Sequence, residues 1–106
     1  MFDPEKMYER IVAAGEAWAD AEAAASLLEE TRKTVLAKAM NDAAAVTISA
    51  KEMLALGSDD YKKFVEGMVR ARAAANKARV KYDSAKILAE LRRSQESTKR
   101  AEMSMR

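Results

Sequence analysis

The chain of 106 residues contains no cysteine and no histidine. Without cysteine it forms no disulfide and offers no thiolate, and without histidine it offers no imidazole as a base or a metal ligand. Catalytic Ser-His and Cys-His pairs and zinc sites built on thiolate or imidazole are therefore excluded. A glycine-rich phosphate loop is missing too, so we expect a protein without enzymatic activity, cofactor or metal.

Proline, glycine and aromatic residues are scarce. There are one proline and three glycines, whereas alanine supplies 23 residues, and this composition favours helix over sheet. The six aromatic residues make a thin core. We therefore predict an all-α, elongated helical hairpin, a shape that is often completed by self-association.

Long apolar runs are missing as well. The longest stretch without a charged residue, residues 43–50, is far too short to span a bilayer. The Met1 end lacks the basic segment followed by an apolar run that is typical of a signal peptide. We therefore expect a cytoplasmic protein with no membrane contact.

Apolar residues that recur every three or four positions predict two long helices, because this spacing keeps them on one helix face. The first follows Asp3-Pro4-Glu5, which supplies a capping residue and a proline at the first helical position. We predict one helix over residues 4–42 and another over residues 59–103. The polar end, residues 94–106, is expected to fray.

A short helix is predicted between the two long ones. Ser49 to Glu52 matches a capping box, and Ile48 and Met53 are placed to form a hydrophobic staple around it. This pattern predicts a helix over residues 50–56 that stops at Gly57 in a left-handed conformation. Ser58 is then expected to cap the second long helix.

The two long helices are expected to pack antiparallel, with the short helix in the elbow, as one domain covering residues 1–106. A register in which facing residue numbers sum to about 100 places Trp18 by Tyr82 and leaves room for the tyrosine ring beside Gly15. Charged residues also face each other in this register: Glu29 faces Arg72, and Glu22 faces Arg79.

Charge is unevenly distributed along the chain. Residues 1–30 carry eight acids and two bases, a net charge of −6, whereas residues 61–106 carry thirteen bases and five acids, a net charge of +8. Near the C-terminus, several bases have no acid opposite them and form a candidate contact for a DNA backbone or an acidic protein surface. This basic end consists of Lys86, Arg92, Arg93, Lys99 and Arg100. The alternative is a solvated helix end without a partner.

A second apolar row lies on the opposite side of the C-terminal helix, where the other long helix cannot reach it. This stripe consists of Val69, Ala73, Asn76, Val80, Ile87 and Leu91. We expect it to be an oligomer or partner interface, with a dimer forming an antiparallel four-helix bundle. Asn76 would then fix the register, as buried polar residues do in coiled coils. The alternatives are cover by the short helix and incidental exposure.

Two stretches of the chain are similar in sequence to known proteins. They are IVAAGEAWAD at 11–20, continuing through LLEETR at 27–32, and VKYDSAK at 80–86, continuing through LRRSQESTKR at 91–100. Together they resemble small uncharacterised proteins of tailed phages and prophages, and the resemblance covers most of the chain. Such proteins come from DNA-metabolism regions of phage genomes, near recombination proteins of the single-strand-annealing type. The resemblance implies that context, in the cytoplasm of the host cell, and no activity for any residue.

These features together predict a non-enzymatic, phage-type interaction protein that is accessory to DNA recombination or replication. It would dock a partner protein or the DNA backbone through a rigid helical surface. One alternative is a phage inhibitor of a host nuclease or defence complex that uses the same surfaces. A second alternative is a protein that binds nucleic acid directly and without sequence specificity.

Overall fold

The computed structural model describes residues 2–105, and this part of the chain is helical with no strand. The helices are α1 (Pro4–Asp42), α2 (Ile48–Leu56) and α3 (Asp59–Ser104). The all-α prediction and the presence of three helices are confirmed. Residues 94–104 are part of α3, and their fraying stays a prediction. Met1 and Arg106, the last residue of the predicted tail, lie outside the described residues.

Both long helices begin as their sequences predict. At the start of α1, the Asp3 carboxylate accepts hydrogen bonds from the backbone N–H of Glu5 at 3.0 Å and of Lys6 at 3.3 Å. At the start of α3, the Ser58 hydroxyl accepts a bond from the Tyr61 N–H at 3.3 Å and donates one to the Ala55 carbonyl at 2.7 Å. Side-chain caps thus satisfy N–H groups that have no partner within the helix.

The start of α2 differs from the prediction. Thr47, in an extended conformation, is the capping residue, and its hydroxyl accepts from the Ala50 N–H at 3.1 Å. Ser49 therefore lies inside the first turn, and the capping box predicted there is wrong. Ile48 and Met53 are 76% and 75% exposed, so they form no hydrophobic staple. Thr47 and Ser49 both carry capping hydroxyls, and the backbone turns helical at the earlier one.

The end of α2 also differs from the prediction. Gly57 has φ −87° and ψ −2°, which is right-handed, and no residue in the range 2–105 has a positive φ. The predicted left-handed cap is therefore wrong. The Gly57 N–H donates to the Met53 carbonyl at 3.1 Å, and the Ser58 N–H donates to the Ala55 carbonyl at 3.2 Å. Because α3 begins directly after this turn, the helical conformation carries through the junction.

The chain clusters into two compact units, one of which is Ala21–Ala75. This unit contains all the buried apolar residues of the described chain: Ala25, Ala55, Tyr61 and Ala75. Its core therefore consists of three alanines and one tyrosine ring. Alanine at a helix contact allows helix axes to approach to about 8 Å.

The other unit joins the chain up to Asp20 to the chain from Asn76 onward. Here α1 and α3 run antiparallel: Gly15 and Trp18 lie against Tyr82, whereas Ile11, earlier on α1, lines a groove with Ala89, later on α3. The numbers of the residues that face each other in these contacts sum to about 100, as the predicted register requires.

Candidate interaction surfaces

Arg72 is the centre of an ion-pair cluster in the Ala21–Ala75 unit. Its guanidinium donates from Nε and Nη2 to the two carboxylate oxygens of Glu29, at 2.9 and 2.7 Å, and from Nη1 to Glu22 at 2.6 Å. The predicted pairing of Glu29 with Arg72 is confirmed, and that of Glu22 with Arg79 is wrong. Glu22 and Glu29 are seven residues, or about two helical turns, apart, and a guanidinium has enough donors to bridge them.

The cluster shifts the ionisation of its members. Hydrogen bonds from Arg72, with a smaller contribution from its charge, lower the pKa of Glu29 below the ordinary value of 4.5, although partial desolvation opposes this. Hydrogen bonds first to Glu29 and then to Glu22 raise the pKa of Arg72 above its usual range. Each pKa moves in the direction that favours the charged form, as expected for paired opposite charges.

This shift predicts an acid-dependent loss of stability. The pKa of Glu29 in the folded state lies below the ordinary value of 4.5. The ionised carboxylate therefore stabilises the folded state fully above about pH 4.5, and this stabilisation is lost as the pH falls through the pKa of the folded state. Thermal melts between about pH 6 and about pH 3 should show a larger fall in melting temperature for the unmodified protein than for Glu29→Gln.

The matched control for this experiment is Glu30→Gln, which removes a neighbouring exposed carboxylate that has no ion pair within the described residues. That variant should keep the acid dependence of the unmodified protein. Equal acid dependence in the Glu29 and Glu30 variants would contradict the role assigned to the Arg72 cluster.

Tyr82 is packed closely in the unit formed by the two chain ends. Its ring centroid lies 5.5 Å from that of Trp18, with the planes tilted by 35°, and the Lys86 ammonium lies 4.9 Å from its centre on the ring face. A Cβ at Gly15 would lie 3.2 Å from the Tyr82 Cε1. The predicted contacts of Tyr82 with Trp18 and Gly15 are confirmed. Lys86, predicted as an anion contact, already makes a cation–π contact within the chain.

The other four members of the basic end are exposed on α3. Arg92, Arg93, Lys99 and Arg100 form no ion pair with any residue in the range 2–105. Their positive charges therefore remain available to a partner.

Two open grooves of about 250 Å³ each lie beside the basic end. Arg93 lines one of them with residues from the start of α1, among them Tyr8. Arg92 lines the other with Lys6 and Arg10, and Asp3 is the one acid among its lining residues. Lys6 and Arg10 were not among the predicted contacts, although a register sum near 100 places both beside Arg92.

The large members of the stripe are solvent-exposed. Val69 and Val80 are 59% exposed, and Ile87 and Leu91 are 57% exposed, while Ala73 and Asn76 are also exposed. Cover by α2, one of the alternatives, is therefore wrong. Two shallow surface depressions lie on the stripe: one is lined by Val65 and Val69, and the other by Asn76 and Val80, each with its polar neighbours.

Among residues 2–105, no three acidic side chains lie close enough together to hold a metal ion. None of the helices in that range combines the length and the apolar character needed to cross a membrane. Comparison with known proteins found no family model, no curated protein and no solved structure that matches this chain.

Proposed function

We propose that this chain is a non-enzymatic helical interaction protein that docks partners through α3. The observation that carries the proposal is the exposure of the stripe, where four large aliphatic side chains of one helix remain more than half accessible. Contiguous exposed apolar surface of this kind marks interaction sites. The basic end supplies a second, charged surface on the same helix.

The two surfaces have different tasks in this proposal. The stripe pairs subunits, so that two copies of the helical hairpin complete an antiparallel bundle. The basic end attracts an anionic partner, since exposed Lys and Arg groups give binding that is rapid and sensitive to salt. A cytoplasmic role as an accessory to DNA recombination or replication, suggested by the resemblance to phage proteins, is part of the proposal.

The groove at Arg92 favours direct binding to the DNA backbone as the form of this function. Lys6, Arg10 and Arg92 line one groove, so the basic surface draws on α1 as well as α3. Phosphate neutralisation by such groups needs no sequence-reading element. An acidic protein surface is the alternative partner for the same charges.

Charge reversal at Arg93 and Arg100 should weaken DNA retention. In gel shifts at two salt concentrations, Arg93→Glu with Arg100→Glu should bind less tightly than the unmodified protein and show a shallower salt dependence, because fewer counterions are released. Neither residue has an ion pair in the described chain, so the melting temperature should change little.

The matched control is Lys62→Glu with Lys63→Glu, an equal charge change at exposed positions near the start of α3. It should retain DNA better than the Arg93 and Arg100 variant. Equal loss in both would indicate that net charge alone governs binding. No shift for the unmodified protein at low salt would end the direct DNA proposal and favour an acidic protein surface.

A further inference from the structure

The stripe has the same spacing in either direction when Ser84, which lies between Val80 and Ile87 on the same side of α3, is added to it. With Ser84 included, its positions are 69, 73, 76, 80, 84, 87 and 91, so the intervals are 4, 3, 4, 4, 3 and 4. Val80 lies at the centre. Positions 69, 80 and 91 repeat every eleven residues, a period that keeps a nearly constant direction along a helix. All these positions lie on α3, Asp59–Ser104.

We propose that a second copy of this chain covers the stripe, running antiparallel to the first about a two-fold axis at Val80. In this arrangement the numbers of facing residues sum to about 160. The inference rests on the self-association included in the proposed function, and adds the occupant, its direction and its register. A two-fold interface requires a surface that matches itself, and the mirrored spacing provides one.

Side-chain size and polarity match in this register. Val80 meets Val80 at the axis, and Val69 of one copy meets Leu91 of the other. Ala73 lies opposite Ile87, so a small residue accommodates a large one, which is the pattern that fills a helix interface without voids. Asn76 faces Ser84, and their side chains can exchange a hydrogen bond, so the polar interruption of the stripe is matched by a polar residue.

Charge complementarity also supports this pairing. Arg79 and Asp83 border the stripe on the same side, and both are exposed. Neither forms an ion pair within residues 2–105, and Glu22, the acid predicted to face Arg79, pairs with Arg72 instead. In an antiparallel pair, residues on the same flank meet. Arg79 of one copy therefore lies near Asp83 of the other, twice by symmetry. A parallel pair would instead bring opposite flanks together, which separates Arg79 from Asp83, and would set Asn76 against Asn76.

Spin labels test both direction and register. Because the chain has no cysteine, Arg70→Cys and Glu90→Cys each give a single label on an exposed flank. Each position is ten residues from Val80, so pulsed dipolar spectroscopy should give about 30 Å between copies at either position. A third label, at Lys81→Cys, should give a much shorter distance.

Unequal distances at residues 70 and 90, in a sample whose mass is two chains, would overturn the register while leaving self-association intact. Short distances at all three positions would show a parallel pair and overturn the direction. No dipolar coupling in samples at tens of micromolar would rule out a second copy of the chain as the occupant of the stripe. The gel shift tests binding through the basic end independently of this result.

A charge swap provides a measurement without labels. Arg79→Asp should raise the dimer Kd by at least about twofold, because it sets acid against acid. Adding Asp83→Arg to the same chain should restore pairing, since the complementary charges are then merely exchanged. If the double variant had a dimer Kd as high as that of the single variant, Arg79 of one copy would not lie near Asp83 of the other.

Discussion

Replacing Ile87 and Leu91 together by aspartate should convert a two-chain species into single chains while leaving most of the helix content in place. Leaving each of these side chains in water forgoes about 1.5–3 kcal/mol of possible burial. A carboxylate in the same position adds the cost of desolvating a charge without a partner. Both residues already project from α3 with more than half of their surface accessible, so the fold of one chain loses little.

Size exclusion with light scattering measures this effect, and circular dichroism checks the helix content. The matched control is Leu27→Asp with Ile48→Asp, which replaces one leucine and one isoleucine that are also exposed but lie outside α3. That variant should keep the two-chain mass. A mass of one chain for the unmodified protein at tens of micromolar would reject self-association and assign the stripe to another partner.

Gly15→Leu should destabilise the fold by about 1–3 kcal/mol through overpacking. A Cβ at this position already lies 3.2 Å from Tyr82 Cε1 and 3.4 Å from Cδ1, and leucine adds three more carbons. The ring cannot easily move aside, because Trp18 packs against it and Lys86 lies on its face. Thermal or urea melts measure the loss.

Gly67→Leu is the matched control for that substitution. Gly67 is also a glycine inside a long helix, and a Cβ there would have nothing within 4 Å. Replacing it by leucine should stabilise α3 by about 0.5–1 kcal/mol, because glycine is a poor helix former. The two substitutions are thus expected to act in opposite directions. An unchanged melting midpoint for Gly15→Leu would argue against the tight contact with Tyr82.

Both ends of α2 differ from the expectation, and at its start two local signals compete. Thr47 and Ser49 both carry hydroxyls able to cap α2, and the structure uses Thr47. A glycine at a helix end is often left-handed, and this tendency favours a left-handed Gly57. The backbone there stays right-handed, and Ser58 caps α3 directly after it.

The candidate surfaces were only partly predictable. Periodicity placed the stripe on the far side of α3, and the structure leaves its large side chains exposed. Spacing along α3 does not identify Lys6 and Arg10, because both residues lie on α1. Their position beside Arg92 depends on how α1 packs against that helix. The register in which the numbers of facing residues sum to about 100 does place both of them beside Arg92.

Residue spacing and local signals predict the presence of the three helices and the register near Tyr82. Helix formation depends on spacing, caps and propensities within a few residues, and a glycine opposite a tyrosine admits few alternative alignments. Helix packing sets which acids pair with Arg72, and it leaves Arg79 without an ion pair among residues 2–105. That outcome depends on helix rotation and on the reach of a guanidinium with several donors, and neither can be read from residue spacing.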